Sequence, residues 1–217
     1  MKLMSKVSVL LLSVVFSAPL LAVEGDASAG KDKAAVCGAC HGQGGNSGTP
    51  AYPKIAGQDP TYLAKQLHDF KSGARDNAIM KGQVSGLSDQ DIADIAAYYA
   101  TQKIEIGKAD PALLALGEKI YRGGNMSTGL AACSGCHGPS GQGLDGAGFP
   151  ALGGQHAGYI EAQLKAFRAA GREDLGDVVK RNNDADPDAP GMMQTTAAKM
   201  SDKEIQAVSS FISGLGK

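Results

Sequence analysis

"VCGACHGQGG", residues 36–45, returns almost unchanged as "ACSGCHGPSG", residues 132–141. The chain has four cysteines and four histidines, and this repeated pattern uses every cysteine and two of the histidines. Two disulfides would account for the cysteines, but a disulfide framework has no use for a histidine directly after each pair. Zinc ribbons set their two CxxC knuckles about 15–20 residues apart, whereas 92 residues lie between Cys40 and Cys133. A thioredoxin-like CxxC wants a βαβ setting, and no stretch here alternates like a half-buried strand for long. What remains is C-x-x-C-H as the covalent attachment signature of haem c. Two thiols three positions apart lie on one side of a helical turn and reach the two vinyl groups of one porphyrin. The residue that follows, His41 or His137, then brings an imidazole to the iron. Two haem c groups are expected, on Cys37 and Cys40 and on Cys133 and Cys136.

The repeat extends well beyond the cysteines. "QDPTYLAKQLHDFKSGARD" (58–76) aligns with "QHAGYIEAQLKAFRAAGRE" (155–173), pairing Gln58 with Gln155, Tyr62 with Tyr159, Gln66 with Gln163, Phe70 with Phe167 and Arg75 with Arg172. "SDQDIADIAAYY" (88–99) aligns with "SDKEIQAVSSFI" (201–212), and Pro53 and Pro150 precede the first block in each half. Tyr62, Leu63, Gln66, Leu67 and Phe70 recur at helical spacing, as do Tyr159, Ile160, Leu164 and Phe167. Asp59-Pro60 supplies a cap with proline at the first helical position. Ser88 with Asp91, and Ser201 with Glu204, resemble capping boxes. Further helices are expected before each cysteine cluster, over about 27–40 and 110–122. The fold class is therefore all-α: two tandem domains of three to four helices each, 23–102 and 111–217, joined by a short linker at 103–110. A linker this short sets the domains side by side.

A second axial ligand is expected on each iron. The candidates are Met80, Met126, Met192, Met193, Met200, His68 and His156. Met80 precedes Ser88 by eight residues and Met193 precedes Ser201 by eight, so the duplication favours this pair over Met192, which misses the register by one. His68 aligns with Lys165 and His156 with Asp59; neither recurs, and both read as surface histidines on amphipathic helices. Met126 has no counterpart in the first half, and Met200, opposite Leu87, reads as core. The stretch from Arg172 to Met193 is 16 residues longer than that from Arg75 to Met80; with its "DADPDAP" it reads as an exposed acidic loop.

These blocks together resemble the dihaem cytochromes c4 of the bacterial periplasm over essentially the whole chain after the leader. The carriers are "AAVCGACHGQGGNS", "YPKIAGQDPTYLAKQLHDFKSG", "CSGCHGPSG", "GFPALGGQHAGYIEAQLKAF" and "MSDKEIQAVSSFISGL". The resemblance implies two cytochrome c-like domains with His/Met-ligated haem, His41 with Met80 and His137 with Met193. It implies that the Pro53 and Pro150 carbonyls hold the other nitrogen of each histidine. It also implies an electron carrier rather than an enzyme, soluble or peripherally associated with the membrane, taking electrons from a quinol-oxidising complex toward a terminal oxidase. Two rivals share this architecture: the cytochrome subunit of a flavocytochrome c sulfide dehydrogenase, and a dihaem peroxidase, which needs one releasable ligand.

Composition fits this picture. Hydrophobic residues are 43% and charged residues 20%, as in ordinary globular chains, but tryptophan is absent and aromatics are only 5%. Small domains so poor in large apolar side chains need a filler, and haem is one. Without Lys2 and Lys6 the charges stand at 19 basic against 22 acidic, with no basic half to attract nucleic acid. Those two lysines, the apolar run Val7–Phe16 and the small residues up to Ala22 read as a cleaved signal peptide, residues 1–22. The run is shorter than the about 20 residues of a membrane span. N-terminal sequencing of the mature protein should therefore begin near Val23; retention of Met1 would refute export by cleavage.

Overall fold

A computed structural model describes residues 24–172, 178–183 and 190–216; the signal segment and most of the acidic "DADPDAP" stretch lie outside the described residues. The first half contains α1 (Ala27–Lys33), α2 (Gly38–His41), a 3-10 turn (Gln43–Gly45), α3 (Pro60–Ser72), α4 (Ala78–Val84) and α5 (Asp89–Ala100). The second contains α6 (Pro111–Gly123), α7 (Ser134–His137), α8 (Ala157–Ala170), α9 (Met192–Ala197) and α10 (Asp202–Ser213). Among the described residues there is no strand, only two isolated bridges, Asn125 with Leu130 and Leu144 with Phe149. The expected three to four helices per domain are five, because each CxxCH forms a one-turn helix of its own. The helix expected over 27–40 breaks at residues 34–37, where the chain turns toward the first cysteine.

Local chemistry explains the boundaries. The Asp59 carboxylate caps α3 through the Tyr62 N–H at 2.7 Å, with Pro60 in the first turn. Both capping boxes form: Ser88 and Asp91 exchange bonds at the start of α5, and Ser201 and Glu204 at the start of α10. In each domain the first helix crosses the last, α1 over α5 and α6 over α10. The crossings are close because Gly30 and Gly117 sit at them: a Cβ at Gly30 would run into the Asp94 carbonyl, and at Gly117 into that of Ala207. Lys33 joins α1 to α5 by reaching both Asp91 and the buried Asp94 at 2.7 and 2.6 Å. Ile92, Ile95 and Tyr99 with Leu63, Leu67 and Phe70 form one core, and Ile205, Val208 and Ile212 with Ile160, Leu164 and Tyr121 form the other.

The two domains pack through α3 and α8 about an approximate twofold. Arg75 donates to Gln66 Oε1 at 2.6 Å, to the Tyr159 hydroxyl at 3.0 Å and to Gln163 Oε1 at 3.1 Å. Its mirror image is Arg181, which donates to Gln163 Oε1 at 2.7 Å, to the Tyr62 hydroxyl at 3.0 Å and to Gln66 Oε1 at 3.0 Å. Arg75 lies over the Phe70 ring and Arg181 over Phe167. The sequence alignment of Arg75 with Arg172 is thus corrected: Arg172 binds the Ala198 and Met200 carbonyls within its own domain, and the interface arginine comes nine residues later. His156 is also not a free surface histidine. It stands at the start of α8, and its Nε2 lies 2.9 Å from both the hydroxyl and the carbonyl oxygen of Ser47 in the other domain. His68 is exposed, 3.9 Å from Asp89. Arg181→Ala should lower stability by about 1.5–3 kcal/mol, the worth of hydrogen bonds to a charged group, and separate the unfolding of the two domains in a denaturant titration. Arg172→Ala should leave the domains unfolding together.

Candidate functional site

Each CxxCH turn is built the same way. Cys37 and Cys133 stand at the start of α2 and α7, half-buried against the two apolar cores, while Cys40 and Cys136 face outward. The four thiols are unpaired. Burial pushes the Cys133 thiol up to about 11 and raises Cys37 as well, so these thiols stay protonated at neutral pH until covalent chemistry removes the proton. His41 and His137 close the turns and are 8% and 7% exposed. The residue after each is a glycine with φ 77° and 78°, a left-handed conformation that turns the chain away at once.

Each imidazole is held by one bond. His41 Nδ1 lies 2.9 Å from the Pro53 carbonyl oxygen, and His137 Nδ1 lies 2.9 Å from that of Pro150. Burial is the main influence on both rings and lowers their affinity for a proton, while the proline carbonyl pulls weakly the other way. The result at neutral pH is a neutral imidazole protonated at Nδ1, which leaves the Nε2 lone pair free to bind a metal. The residue before each proline adds an edge contact, Tyr52 to His41 and Phe149 to His137, both at 6.3 Å between centroids.

The methionines separate by position. Met80, on α4, is partly buried on the same core as Cys37; Met193, on α9, is partly buried on the same core as Cys133. Met192 is 60% exposed and Met126 95% exposed, and Met200 is fully buried in the second core. Among the described residues no group of three or more His, Cys, Asp and Glu side chains gathers as a metal cage. A cleft of about 550 Å³ opens between α3 and α8, lined in part by Phe70, Arg75, Lys165, Arg168 and Arg181. Asp76 stands among these cations, and neither a CxxCH residue nor Met80 or Met193 is among the described residues that line it, so the cleft is not the attachment site. Unpaired thiols at attachment spacing, a neutral buried imidazole and a thioether on the same core are the donor set of covalent haem.

This architecture defines a protein of two c-type cytochrome domains, and the family model for cytochrome c matches residues 27–103 and 115–216. Cytochrome c4 of Pseudomonas aeruginosa is 51% identical over 212 residues, which cover 98% of this chain and 100% of that protein. The crystal structure of reduced recombinant cytochrome c4 from Pseudomonas stutzeri, 50% identical, superposes with a TM-score of 0.77 over 88% of this chain and 99% of that one. At lower similarity, the thiosulfate dehydrogenase electron acceptor of Thiomonas intermedia is 41% identical over 85% of this chain and 81% of its own. The chain belongs to the cytochrome c4 family: a dihaem electron-transfer protein, not an enzyme, with two covalently bound haem c groups fitting Cys37 and Cys40, and Cys133 and Cys136.

Sequence reasoning aligned Gln58 with Gln155 without assigning them a task, and it missed Arg181. Nothing in the sequence marked Arg181, because Arg172 already stood in register with Arg75 and the two glutamine–tyrosine stripes face each other only in the fold. Cys133→Ala combined with Cys136→Ala should leave one covalent haem per chain in an alkaline pyridine spectrum. The second domain should lose helical circular dichroism, because a cofactor is missing from its core.

Proposed function

We propose that residues 1–22 direct export to the periplasm, and that the mature chain, with domains 23–102 and 111–217 around the linker 103–110, carries electrons there in a respiratory chain. It would take them from a quinol-oxidising complex and deliver them toward a terminal oxidase, as a soluble or peripherally membrane-associated carrier. Support for the location comes from the signal pattern at the N-terminus; among the described residues no helix is long and apolar enough to cross a membrane. In each domain the two cysteines hold the porphyrin by thioethers. His41 with Met80 would hold the first iron, and His137 with Met193 the second. Bound haem c supplies a reversible one-electron ferric/ferrous couple.

The observation that carries this reading is the doubled set of half-buried methionine, half-buried cysteine and buried histidine around each core. Two protein ligands leave no coordination site for substrate, which favours electron transfer over ligand activation. The neutral imidazole would offer Nε2 to the iron, with its Nδ1–H held on the proline carbonyl to fix the ring. The methionine thioether and the apolar walls favour the less charged ferrous state and raise the potential above that of a bis-histidine site. A second route has one specific support, the similarity to the Thiomonas electron acceptor: the electrons then come from a thiosulfate dehydrogenase.

Two measurements test these points. Met193→Ala should abolish the sulfur-to-iron charge-transfer band of one haem and lower its potential, while Met192→Ala should leave both haems as they are. The reverse result would move the ligand by one residue. Purified protein should be reduced rapidly by membranes containing a quinol-oxidising complex and reoxidised by membranes containing a terminal oxidase. Reduction by a thiosulfate dehydrogenase with none by quinol would assign the second route.

A further inference from the structure

Gln58 and Gln155 reach out of their own domains. Gln155 Oε1 accepts from the Lys54 N–H at 2.9 Å, and Gln155 Nε2 donates to the Lys54 carbonyl at 2.7 Å. Gln58 treats Ala151 in the same way, accepting from its N–H at 2.9 Å and donating to its carbonyl at 3.0 Å. Each oxygen also accepts the N–H of the next residue in its own chain, Asp59 or His156, at 3.0 Å. The residues so clasped are those that follow Pro53 and Pro150. The Pro53 carbonyl and the Lys54 N–H are two ends of one peptide group, as are the Pro150 carbonyl and the Ala151 N–H. An unbroken line of hydrogen bonds therefore runs from Gln155 through one peptide to His41 Nδ1, and from Gln58 through its mirror to His137 Nδ1. Gln155 and Lys54 are 6% and 8% exposed, so water does not readily replace their clasp; Gln58 and Ala151 are partly buried.

We propose that Gln58 and Gln155 are crossed positioning residues, each setting the electron-donating strength of the histidine in the opposite domain. Hydrogen bonds in series polarise one another. A peptide whose N–H is engaged has a more electron-rich carbonyl, and that carbonyl draws harder on the imidazole N–H. The ring becomes more basic at Nε2, which favours ferric over ferrous iron. Docking of the domains thus holds down both potentials, and each redox centre registers whether its neighbouring domain is in place. This inference rests on the axial roles proposed above for His41 and His137.

The test uses the holoprotein and the variants Gln155→Leu, Gln58→Leu and Gln155→Glu. Each centre is followed separately in a redox titration by the NMR signals of its own axial methionine. Gln155→Leu should raise the potential of the first-domain centre and leave the second unchanged; Gln58→Leu should do the opposite. The shift in the ferric/ferrous equilibrium should stay below tenfold, about 59 mV for one electron. In the ferrous protein the His41 Nδ1–H resonance should move upfield in Gln155→Leu, and Gln155→Glu, which keeps an acceptor oxygen, should restore it. No shift, equal shifts at both centres, or a shift in the domain that carries the substitution would each overturn the crossed clasp. Absorption spectra and haem counts of the unsubstituted protein test the ligands separately. Two low-spin His/Met haems without a crossed shift overturn the clasp alone, and spectra without histidine ligation overturn both.

Discussion

A buried imidazole with one hydrogen bond organises each half of this molecule. Burial removes the charge from His41 and His137, and the proline carbonyl at 2.9 Å decides which nitrogen keeps the proton. Both effects are needed. A charged imidazole binds no metal, and a neutral one of the wrong tautomer would turn Nδ1, not Nε2, toward it. The bond spans a loop of similar length in both domains, from the CxxCH turn to the proline. That loop is itself held shut: Ile55 N–H bonds the Gly45 carbonyl at 2.8 Å, and Leu152 N–H bonds that of Gly141 at 2.7 Å. The glycines at 42 and 138 permit the sharp exit, since a side chain there would be strained in that backbone conformation. The orientation of each imidazole is thus a property of a closed backbone loop rather than of a flexible side chain.

The interface extends the same constraint across the molecule. The loops that carry Pro53 and Pro150 are also the surfaces on which the domains meet, through Gln155 and Gln58. Beside them lies the arginine–glutamine–tyrosine cluster of α3 and α8, in which Arg181 is 7% exposed. Buried guanidinium groups are costly unless their donors are satisfied; the terminal nitrogens of both arginines are shared between the domains, while the Arg181 Nε is buried without a partner among the described residues. The linker adds little freedom. Asn46 bonds both the Lys103 carbonyl and the Glu105 N–H at 2.9 Å, and the Lys54 ammonium caps the Glu105 carbonyl. A carrier gains from such rigidity, because less of the protein rearranges when the iron changes charge.

Much of this was legible in the residues. The doubled CxxCH, the capping boxes at Ser88 and Ser201, and the apolar stripes of α3 and α8 are local signals, and local geometry realises them directly. The register between methionine and capping serine singled out Met80 and Met193, which lie on the two cores while Met192 faces solvent. What escaped depends on pairing between distant parts. Arg172 stood in alignment with Arg75, yet the insertion carries the interface arginine to position 181. Gapless alignment has no means of seeing that a later residue folds back to the same place. His156 read as a surface residue because its partner, Ser47, lies 109 positions away. Gln58 and Gln155 looked like ordinary polar positions before a helix, since their partners are backbone groups, and backbone leaves no trace in the side-chain pattern.

The misplaced arginine also shows what the duplication preserves. In the first domain the guanidinium comes from the end of α3, where the chain turns at Gly73 with φ 89°. In the second it comes from Arg181, whose N–H is bonded to the Ala166 carbonyl of α8 at 3.1 Å. The two arginines stand at different sequence distances from their helices, yet the cation reaches equivalent partners: a glutamine of its own domain's helix, the facing glutamine, the facing tyrosine and a phenylalanine ring. If the arginine mattered only to its own domain, Arg172 in its aligned place would have sufficed. A twofold interface, however, needs a donor on each side of paired acceptors, and leaving either glutamine–tyrosine set buried without one is unfavourable. The requirement is thus set by the surface the two domains share, and the second domain meets it by a different stretch of chain.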